Sequence, residues 1–183
     1  MSRLTIHTDD QPAVALSSTT DVQGIAAGLA EIGVTFERWQ AEGVAPADGD
    51  DAAVLAAYAG DIERLKALGG YRSVDVIRMT PDNPAAPELR ARFLAEHTHA
   101  DDEVRFFVEG SAQFYLHQAG KVFIVVCEAG DLMSIPARTP HWFDMGPRPR
   151  FTALRLFVSP DGWVADYTGA KLAEDYPKFH LAA

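Results

Sequence analysis

Two N-terminal stretches carry apolar residues at every third or fourth position, the spacing of a helix with one buried face. The first spans residues 22–32, and the second, with the clearer pattern, spans about residues 50–68. A short helix over residues 88–94 is a third prediction. The predicted caps and stops are Thr20 or Asp21 and Gly33 for the first helix, and Asp50 or Asp51 and Gly69-Gly70 for the second.

From residue 97 onward, short apolar or alternating runs are separated by turn residues, which is typical of antiparallel strands. Glu109-Gly110-Ser111 predicts a hairpin turn, and residues 43–51, rich in aspartate, predict a loop. The pattern therefore predicts an antiparallel barrel or sandwich. The predicted strands are residues 104–108, 112–117, 122–128, 132–135, 141–143 and 151–158, preceded by 34–39, 74–79 and a short edge strand at 4–6.

A chain of 183 residues is long enough to bury one core, and we predict a single domain over residues 1–183. Its helical N-terminal part covers about residues 1–95 and packs on the barrel. The barrel strands occupy about residues 96–160, and a C-terminal tail follows over about residues 161–183.

The formal net charge of −10 argues against nucleic acid as a partner, because nucleic-acid binding needs clustered Lys and Arg. It equally disfavours an anionic membrane surface. No apolar run approaches the ~18 residues of a membrane-spanning helix, and the N-terminus lacks the apolar core of a signal peptide. The expected compartment is the cytoplasm.

The segment 96–110 carries the clearest chemical pattern in the chain. Side chains of an extended strand alternate between its two faces, so His97 and His99 point to the same side. A short polar step then allows the carboxylate of Glu103 to return toward the same point, and Arg105 shares the Glu103 face. This spacing predicts a metal site.

With His141 from farther along the chain, the candidate ligands are three imidazoles and one carboxylate, which suit Fe(II), Ni(II), Co(II) or Mn(II). An octahedral metal would keep two positions for a chelating substrate. Structural zinc sites are usually closed and often contain cysteine, whereas the single Cys127 lies in an apolar run that predicts a buried thiol. His7, His117 and His180 are interpreted as ordinary surface or hydrogen-bonded residues.

Two spaced patterns include the candidate ligands: His97-x-His99-x3-Glu103-x6-Gly110 and Gly130-x5-Pro136-x4-His141. They resemble the two motifs of the cupin family, whose members are small β-barrels with a metal at the mouth. The resemblance implies a mainly β fold: a cupin-type β-barrel (double-stranded β-helix or jelly roll) with a few α-helices at the N-terminal side. The second motif has two departures, since Arg138 stands where glycine is usual and Asp144-Met145 where an asparagine is common.

Further segments resemble the acireductone dioxygenases over almost the whole chain: residues 32–39, 93–99, 102–107, 135–144, 155–157 and 162–163. This resemblance implies an enzyme of methionine salvage that cleaves acireductone, an enediol ketone with a methylthio tail, using O2. It implies a monomer with one Fe(II) or Ni(II) per chain, held by His97, His99, Glu103 and His141. Iron would yield formate and 4-methylthio-2-oxobutanoate, whereas nickel would yield formate, CO and 3-methylthiopropionate.

The remaining candidate site residues are two arginines and three aromatics. Arg105 is predicted to donate hydrogen bonds to the enediolate. Arg155 interrupts an apolar strand, so it either forms a structural salt bridge or faces an anionic ligand. Phe93, Phe143 and Trp163 are candidates to surround the methylthio tail, and ordinary core packing is the alternative for each.

Three acidic residues next to the ligands are less informative. Asp101 and Asp102 could orient histidines, but a solvated loop is the simpler interpretation. Glu96 is a possible general base, although the substrate could also arrive ionised.

Two other function classes stay open from the sequence. One is a different cupin enzyme, such as a quercetinase-like dioxygenase or a sugar-phosphate isomerase, although few basic residues near the motifs suit a phosphate. The other is a non-enzymatic cupin that binds a metal or small ligand. Such a protein would not need Arg105 and Arg155 to face an open metal.

Overall fold

The computed structural model describes residues 1–39 and 50–180. Most of the predicted loop at residues 43–51 lies outside these ranges. The described part is mainly β with a few α-helices toward the N-terminus, as predicted, although there are four helices where the pattern predicted three. The helices are α1 Val22–Ala30, α2 Asp51–Ala57, α3 Ala59–Gly69 and α4 Ala86–Phe93, and a short 3-10 helix follows at Leu172–Glu174.

The helix ends follow the sequence signals at most positions. Asp21 caps α1 by accepting a hydrogen bond from the Gly24 backbone at 2.8 Å, and Asp50 caps α2 in the same way. Gly70 ends α3 in the left-handed conformation, at φ 69°. Among the helices of the described ranges, none combines the length and apolar content needed to cross a membrane.

The prediction of one continuous helix over residues 50–68 is wrong. The chain leaves helical geometry at Tyr58, where φ is −104° and ψ is 16°, and this separates α2 from α3. The Tyr58 ring is buried and packs edge-on against Phe106 at 5.7 Å. Gly60, a weak helix former, follows within the next turn. The break between α2 and α3 therefore lies where the Tyr58 ring packs against Phe106, and the apolar spacing of the sequence did not indicate it.

Eleven strands pair antiparallel throughout the described chain and form two sheets that share one strand. The first sheet has the order β11-β5-β9-β6-β7-β1-β2, and the second has the order β4-β10-β6-β8-β3. The strands are β1 Arg3–Thr8, β2 Ala15–Thr19, β3 Thr35–Arg38, β4 Ser73–Met79, β5 His97–Thr98, β6 Glu103–Gln118, β7 Lys121–Glu128, β8 Asp131–Ile135, β9 His141–Asp144, β10 Phe151–Phe157 and β11 Asp166–Tyr167.

The predicted hairpin at residues 109–111 is wrong, because β6 runs through it as one strand of 16 residues. Its first half pairs with β8 and β10, and its second half pairs with β7 and β9. Gly110 lies at the change of partners with φ 73°, and a Cβ there would lie 2.0 Å from the Arg150 carbonyl oxygen. The glycine therefore bends the strand from one sheet into the other rather than reversing it.

The predicted edge strand at residues 4–6 is an interior strand. β1 pairs with β7 on one side and with β2 on the other. β2 forms the edge, and its run of mostly exposed small polar residues lacks the apolar alternation that reveals a strand. The two-residue strands β5 and β11 are likewise too short to leave a pattern.

The main core lies between the two sheets. It is dominated by aromatic and aliphatic side chains that are fully buried, including Phe107, Phe114, Phe123 and Met133. Cys127 belongs to this cluster, as its apolar run predicted, and burial raises the pKa of its thiol. The core thus fixes β6, which carries both Glu103 and Arg105 into one end of the space between the sheets.

Candidate metal centre

The structure brings the four predicted ligands together at one buried point. The ligand nitrogens of His97, His99 and His141 lie within 4.8 Å of one another. The Glu103 Oε2 atom lies 3.4 Å from His141 Nε2 and 3.6 Å from His99 Nε2. All four residues are between 1% and 7% exposed. Residues up to 44 positions apart in sequence therefore share one small volume.

Strand pairing explains this convergence. His97 begins β5 and lies directly opposite His141, the first residue of β9. His141 also faces Leu116 of β6, so β9 lies between β5 and the strand whose first residue is Glu103. The local spacing His-x-His places two rings on one face, and the sheet adds the third ring beside them.

Backbone carbonyls hold all three imidazoles in the same tautomer. The Nδ1 atoms of His97, His99 and His141 lie 2.8, 3.0 and 2.8 Å from the carbonyl oxygens of Ala95, Val164 and Thr139. A carbonyl oxygen only accepts hydrogen bonds, so each Nδ1 carries the proton. Each Nε2 consequently keeps its lone pair for the centre, the arrangement found for histidines that bind metals.

Burial keeps His97 and His99 neutral. It lowers the pKa of His97 to about 4, and the nearby His141 ring adds to this effect. Burial also lowers the pKa of His99, partly opposed by the negative charge of Glu103. Neutral imidazole is the form that binds a metal, so these groups need not lose a proton at neutral pH.

Glu103 stays ionised in the same buried place. Burial by itself would raise the pKa of this carboxyl, but the positive charge of Arg105 and contacts with His141 and His99 lower it well below the usual range. Arg105 Nη2 donates to Oε1, whereas Oε2 has no hydrogen-bond partner in the described chain. A buried anionic oxygen without a partner is costly. A divalent cation among Oε2 and three Nε2 atoms would supply the missing interaction, so the residues fit a metal.

A cavity of about 280 Å³ opens onto this centre. Its floor is formed by the buried polar residues, and its rim carries the exposed side chains Arg92, Trp163 and Tyr167. The three aromatics predicted from the sequence all line it; Phe93 and Phe143 meet edge to face at 5.9 Å, and Trp163 is 49% exposed. The other apolar wall residues are Ile77, Met79, Leu89 and Phe114.

Arg105 lies beside the centre between two aromatic rings. Its guanidinium carbon is 5.2 Å from the Phe114 ring centroid and 5.0 Å from that of Phe143. Its Nε atom is buried and makes no hydrogen bond within the described ranges. Arg105 therefore has a donor that is not used by Glu103, held in a rigid position by flanking rings.

Arg155 forms the salt bridge that the sequence left as one of two options. Its Nε and Nη2 atoms lie 3.1 and 2.6 Å from the two carboxylate oxygens of Asp75, which is opposite it on β4. It also lines the cavity, because it faces Arg105 across the β6–β10 pair. The two interpretations are thus compatible, since one guanidinium pairs with Asp75 and borders the cavity.

The acidic neighbours of the ligands have structural partners. Asp101 accepts hydrogen bonds from the backbone and hydroxyl of Ser159, both at 2.6 Å, and Asp102 accepts one from the Ala137 backbone at 2.8 Å. These contacts tie loops together and agree with the loop interpretation.

Glu96 is buried and does not face the cavity. Its Oε1 atom accepts from the Thr168 hydroxyl at 2.7 Å, and its Oε2 atom lies 2.9 Å from His117 Nδ1. It is not among the described residues that line the cavity, which gives no support to a general-base role.

Both departures from the second cupin motif have a local explanation. Arg138, in place of glycine, keeps the left-handed conformation at φ 63°, and its backbone N–H donates to the His99 carbonyl at 2.9 Å. Asp144 is fully buried, with Arg90 Nε at 2.7 Å from Oδ1, and it also accepts from the backbone of Gly146 and Phe179. The motif geometry is therefore retained with different side chains.

Sequence reasoning missed several cavity residues, including Arg92 and Tyr167. They come from α4 and β11, which carry no ligand spacing, and they reach the cavity only through tertiary packing. Leu89, Arg92 and Phe93 do share one helix face by their i, i+3, i+4 spacing, the one signal that could have grouped them.

Comparison with known proteins gives consistent results over nearly the full chain. The model of the ARD/ARD' family matches residues 3–165. An acireductone dioxygenase from Parvibaculum lavamentivorans is 55% identical over 179 residues, covering 98% of this chain and 97% of the relative. One from Serratia proteamaculans is 53% identical, covering 97% and 99%.

A solved structure is also similar. The acireductone dioxygenase of Bacillus anthracis, described with a cadmium ion in its active centre, superposes with a TM-score of 0.78 at 32% identity. The match covers 91% of this chain and 98% of that one.

Proposed function

The chain belongs to the ARD/ARD' family and is a metal-dependent dioxygenase, and we propose that it cleaves acireductone with O2 in methionine salvage. The observation that carries the proposal is the partnerless Glu103 Oε2 atom among three imidazole lone pairs, at the floor of a cavity with apolar walls. Such a cavity fits a substrate with a polar head at the floor and an apolar tail along the walls.

In this proposal His97, His99, Glu103 and His141 hold one Fe(II) or Ni(II) ion. When bound, the metal supplies Lewis acidity and a template for the oxygen atoms of the substrate. The chain's own part is to fix the ligands: carbonyl oxygens orient the rings, and Arg105 orients the Glu103 carboxylate through Oε1. Because the ligand side chains are already held in place, they lose little conformational freedom when the metal binds.

Arg105 is the residue that we propose to bind the ionised enediol. Its buried Nε–H donor has no partner in the described chain, and a charged donor in a low-dielectric site forms a strong hydrogen bond with an oxyanion. The Phe114 and Phe143 rings prevent the guanidinium from turning away.

Arg155 contributes positive potential at the cavity wall. Because Asp75 is 48% exposed on its side chain, solvent weakens the compensation of the Arg155 charge by this partner. Phe93, Phe143 and Trp163 bind the methylthio tail, where sulfur contacts with aromatic rings are mildly favourable.

The loaded metal decides the products. The ligand set is compatible with both Fe(II) and Ni(II), and affinity rises from iron to nickel while cellular supply usually favours iron. The iron form yields formate and 4-methylthio-2-oxobutanoate, and the nickel form yields formate, CO and 3-methylthiopropionate.

Product analysis of the protein reconstituted separately with each metal tests the proposal. We expect O2 consumption with acireductone in both cases, keto acid from the iron form only and CO from the nickel form only. Identical products from both forms would contradict the proposed metal dependence, and full turnover by metal-free protein would contradict the proposed centre.

A further inference from the structure

One cation at the rim of the cavity is not used by the metal centre. Arg92 lies in α4 and lines the cavity together with Leu89 and Phe93 of the same helix face. Its side chain is exposed, as are those of Trp163 and Tyr167, which border the same opening. Arg92 is therefore placed where a molecule passes from solvent into the cavity.

Arg92 differs from the other arginines of this region in its pairing. Arg105 pairs with Glu103, and Arg155 pairs with Asp75. Arg90, two positions earlier in α4, pairs with Asp144. Within residues 1–39 and 50–180, Arg92 forms no ion pair and no side-chain hydrogen bond, so no carboxylate within 4 Å neutralises its charge.

The overall charge of the protein makes an unpaired cation at this position significant. The chain has a formal net charge of −10, and at long range it repels an anion such as an ionised enediol. A local positive potential at the opening counteracts this repulsion where capture takes place. Arg92 supplies that potential outside the buried floor on which the chemistry occurs.

We propose that Arg92 is a positioning residue that steers the anionic enediol substrate into the cavity; this inference rests on the proposed function. Arg92 lies at the rim and not among the metal ligands or Arg105 on the floor of the cavity. Its charge should therefore attract the bound substrate and the transition state about equally. Loss of the charge should therefore raise KM and lower kcat/KM while kcat stays the same.

The test compares Arg92→Gln, Arg92→Lys and Arg148→Gln with the wild-type holoenzyme. Arg148 is exposed and is not among the described residues that line the cavity, so its substitution removes the same charge elsewhere. Both glutamine variants change the formal net charge from −10 to −11. Steady-state O2 consumption with acireductone is measured at about 10 mM and about 0.5 M salt, where screening differs strongly.

At low salt we expect Arg92→Gln to lower kcat/KM about 3- to 10-fold with unchanged kcat, and the difference to disappear at high salt. Arg92→Lys should resemble the wild type, as should Arg148→Gln. A kcat/KM for Arg92→Gln equal to wild type at low salt, an equal loss in Arg148→Gln, or a parallel fall in kcat would overturn the inference. Absence of O2 consumption by the wild type would instead reject the proposed function.

Discussion

Arg105 lies two positions after Glu103 on the same face of β6 and pairs with only one of the two Glu103 carboxylate oxygens. Arg105 donates to Oε1, while Oε2 remains without a partner in the described chain and lies 3.4 Å from His141 Nε2. The ion pair keeps Glu103 charged in a buried place, and the unpaired oxygen leaves one anionic atom available to a metal. The first prediction concerns this oxygen.

Glu103→Gln should remove metal binding. The amide has no negative charge for the cation, and it leaves Arg105 without its carboxylate partner. We expect metal affinity to fall by more than about 100-fold and activity to be lost with it. Elemental analysis after dialysis and isothermal titration with Ni(II) measure the affinity. Retention of one tightly bound metal by a folded Glu103→Gln protein would contradict the proposed ligand set.

Arg105→Lys should separate substrate binding from metal binding. Lysine keeps the positive charge beside Glu103 but lacks the planar fork that is held between the Phe114 and Phe143 rings. We expect kcat/KM to fall about 10- to 100-fold, the loss of one or two charge-assisted hydrogen bonds, with unchanged metal content. Equal kinetics in the variant would show that the buried Nε donor does not bind substrate.

Asp75→Asn tests whether Arg155 acts on the substrate or only on the fold. Because Asp75 is half exposed, loss of the ion pair should lower the free energy of unfolding by less than about 1 kcal/mol. If the guanidinium must be held at the cavity wall, kcat/KM should fall several-fold. Urea unfolding and steady-state kinetics are measured on the same preparation. A change in stability alone would assign Arg155 a purely structural role.

Phe93→Ala tests the proposed tail pocket. Phe93 is only half-buried, so the fold should tolerate its truncation, but the methylthio tail would lose one aromatic wall. We expect kcat/KM for acireductone to fall about 5- to 30-fold, corresponding to about 1–2 kcal/mol of lost apolar contact. A substrate analogue with a tail shortened to a single methyl group should show a much smaller effect. Equal losses for both substrates would mean that Phe93 only supports the cavity.

Gly110→Ala tests the bend of β6. The position has φ 73°, and the added Cβ would lie 2.0 Å from the Arg150 carbonyl oxygen. Gly169→Ala is a matched control, because Gly169 has φ 76° but no heavy atom within 4 Å of the same Cβ. We expect a loss of about 1 kcal/mol for the control, from backbone strain alone, and of more than about 2 kcal/mol for Gly110→Ala. Equal losses in denaturant unfolding would contradict the close approach of β6 to residue 150.

The convergence of the four candidate ligands was predictable from sequence because its main signal is local. The alternation of His97 and His99 on a strand, with Glu103 shortly after, constrains side-chain direction without knowledge of the fold. His141 needed the spacing of a second motif. The structure confirms that the four side chains converge.

The errors concern features that depend on distant residues. Gly110 looks like a turn residue within its own segment, and only the close approach of residue 150 and the change of sheet partners make it a bend. Tyr58 fits a helical apolar stripe, but its contact with Phe106 on β6 accompanies the break between α2 and α3. Arg92 has no motif at all and reaches the cavity through the packing of α4.

Anomalous diffraction from crystals loaded with Fe(II) or Ni(II), collected at the absorption edge of the metal, would locate the ion and identify its ligands. We expect one strong peak per chain, coordinated by the Nε2 atoms of His97, His99 and His141 and by Glu103 Oε2, with the cavity open on its remaining side. A peak elsewhere, a metal bound through Nδ1 atoms, or a metal that leaves Glu103 uncoordinated would contradict it.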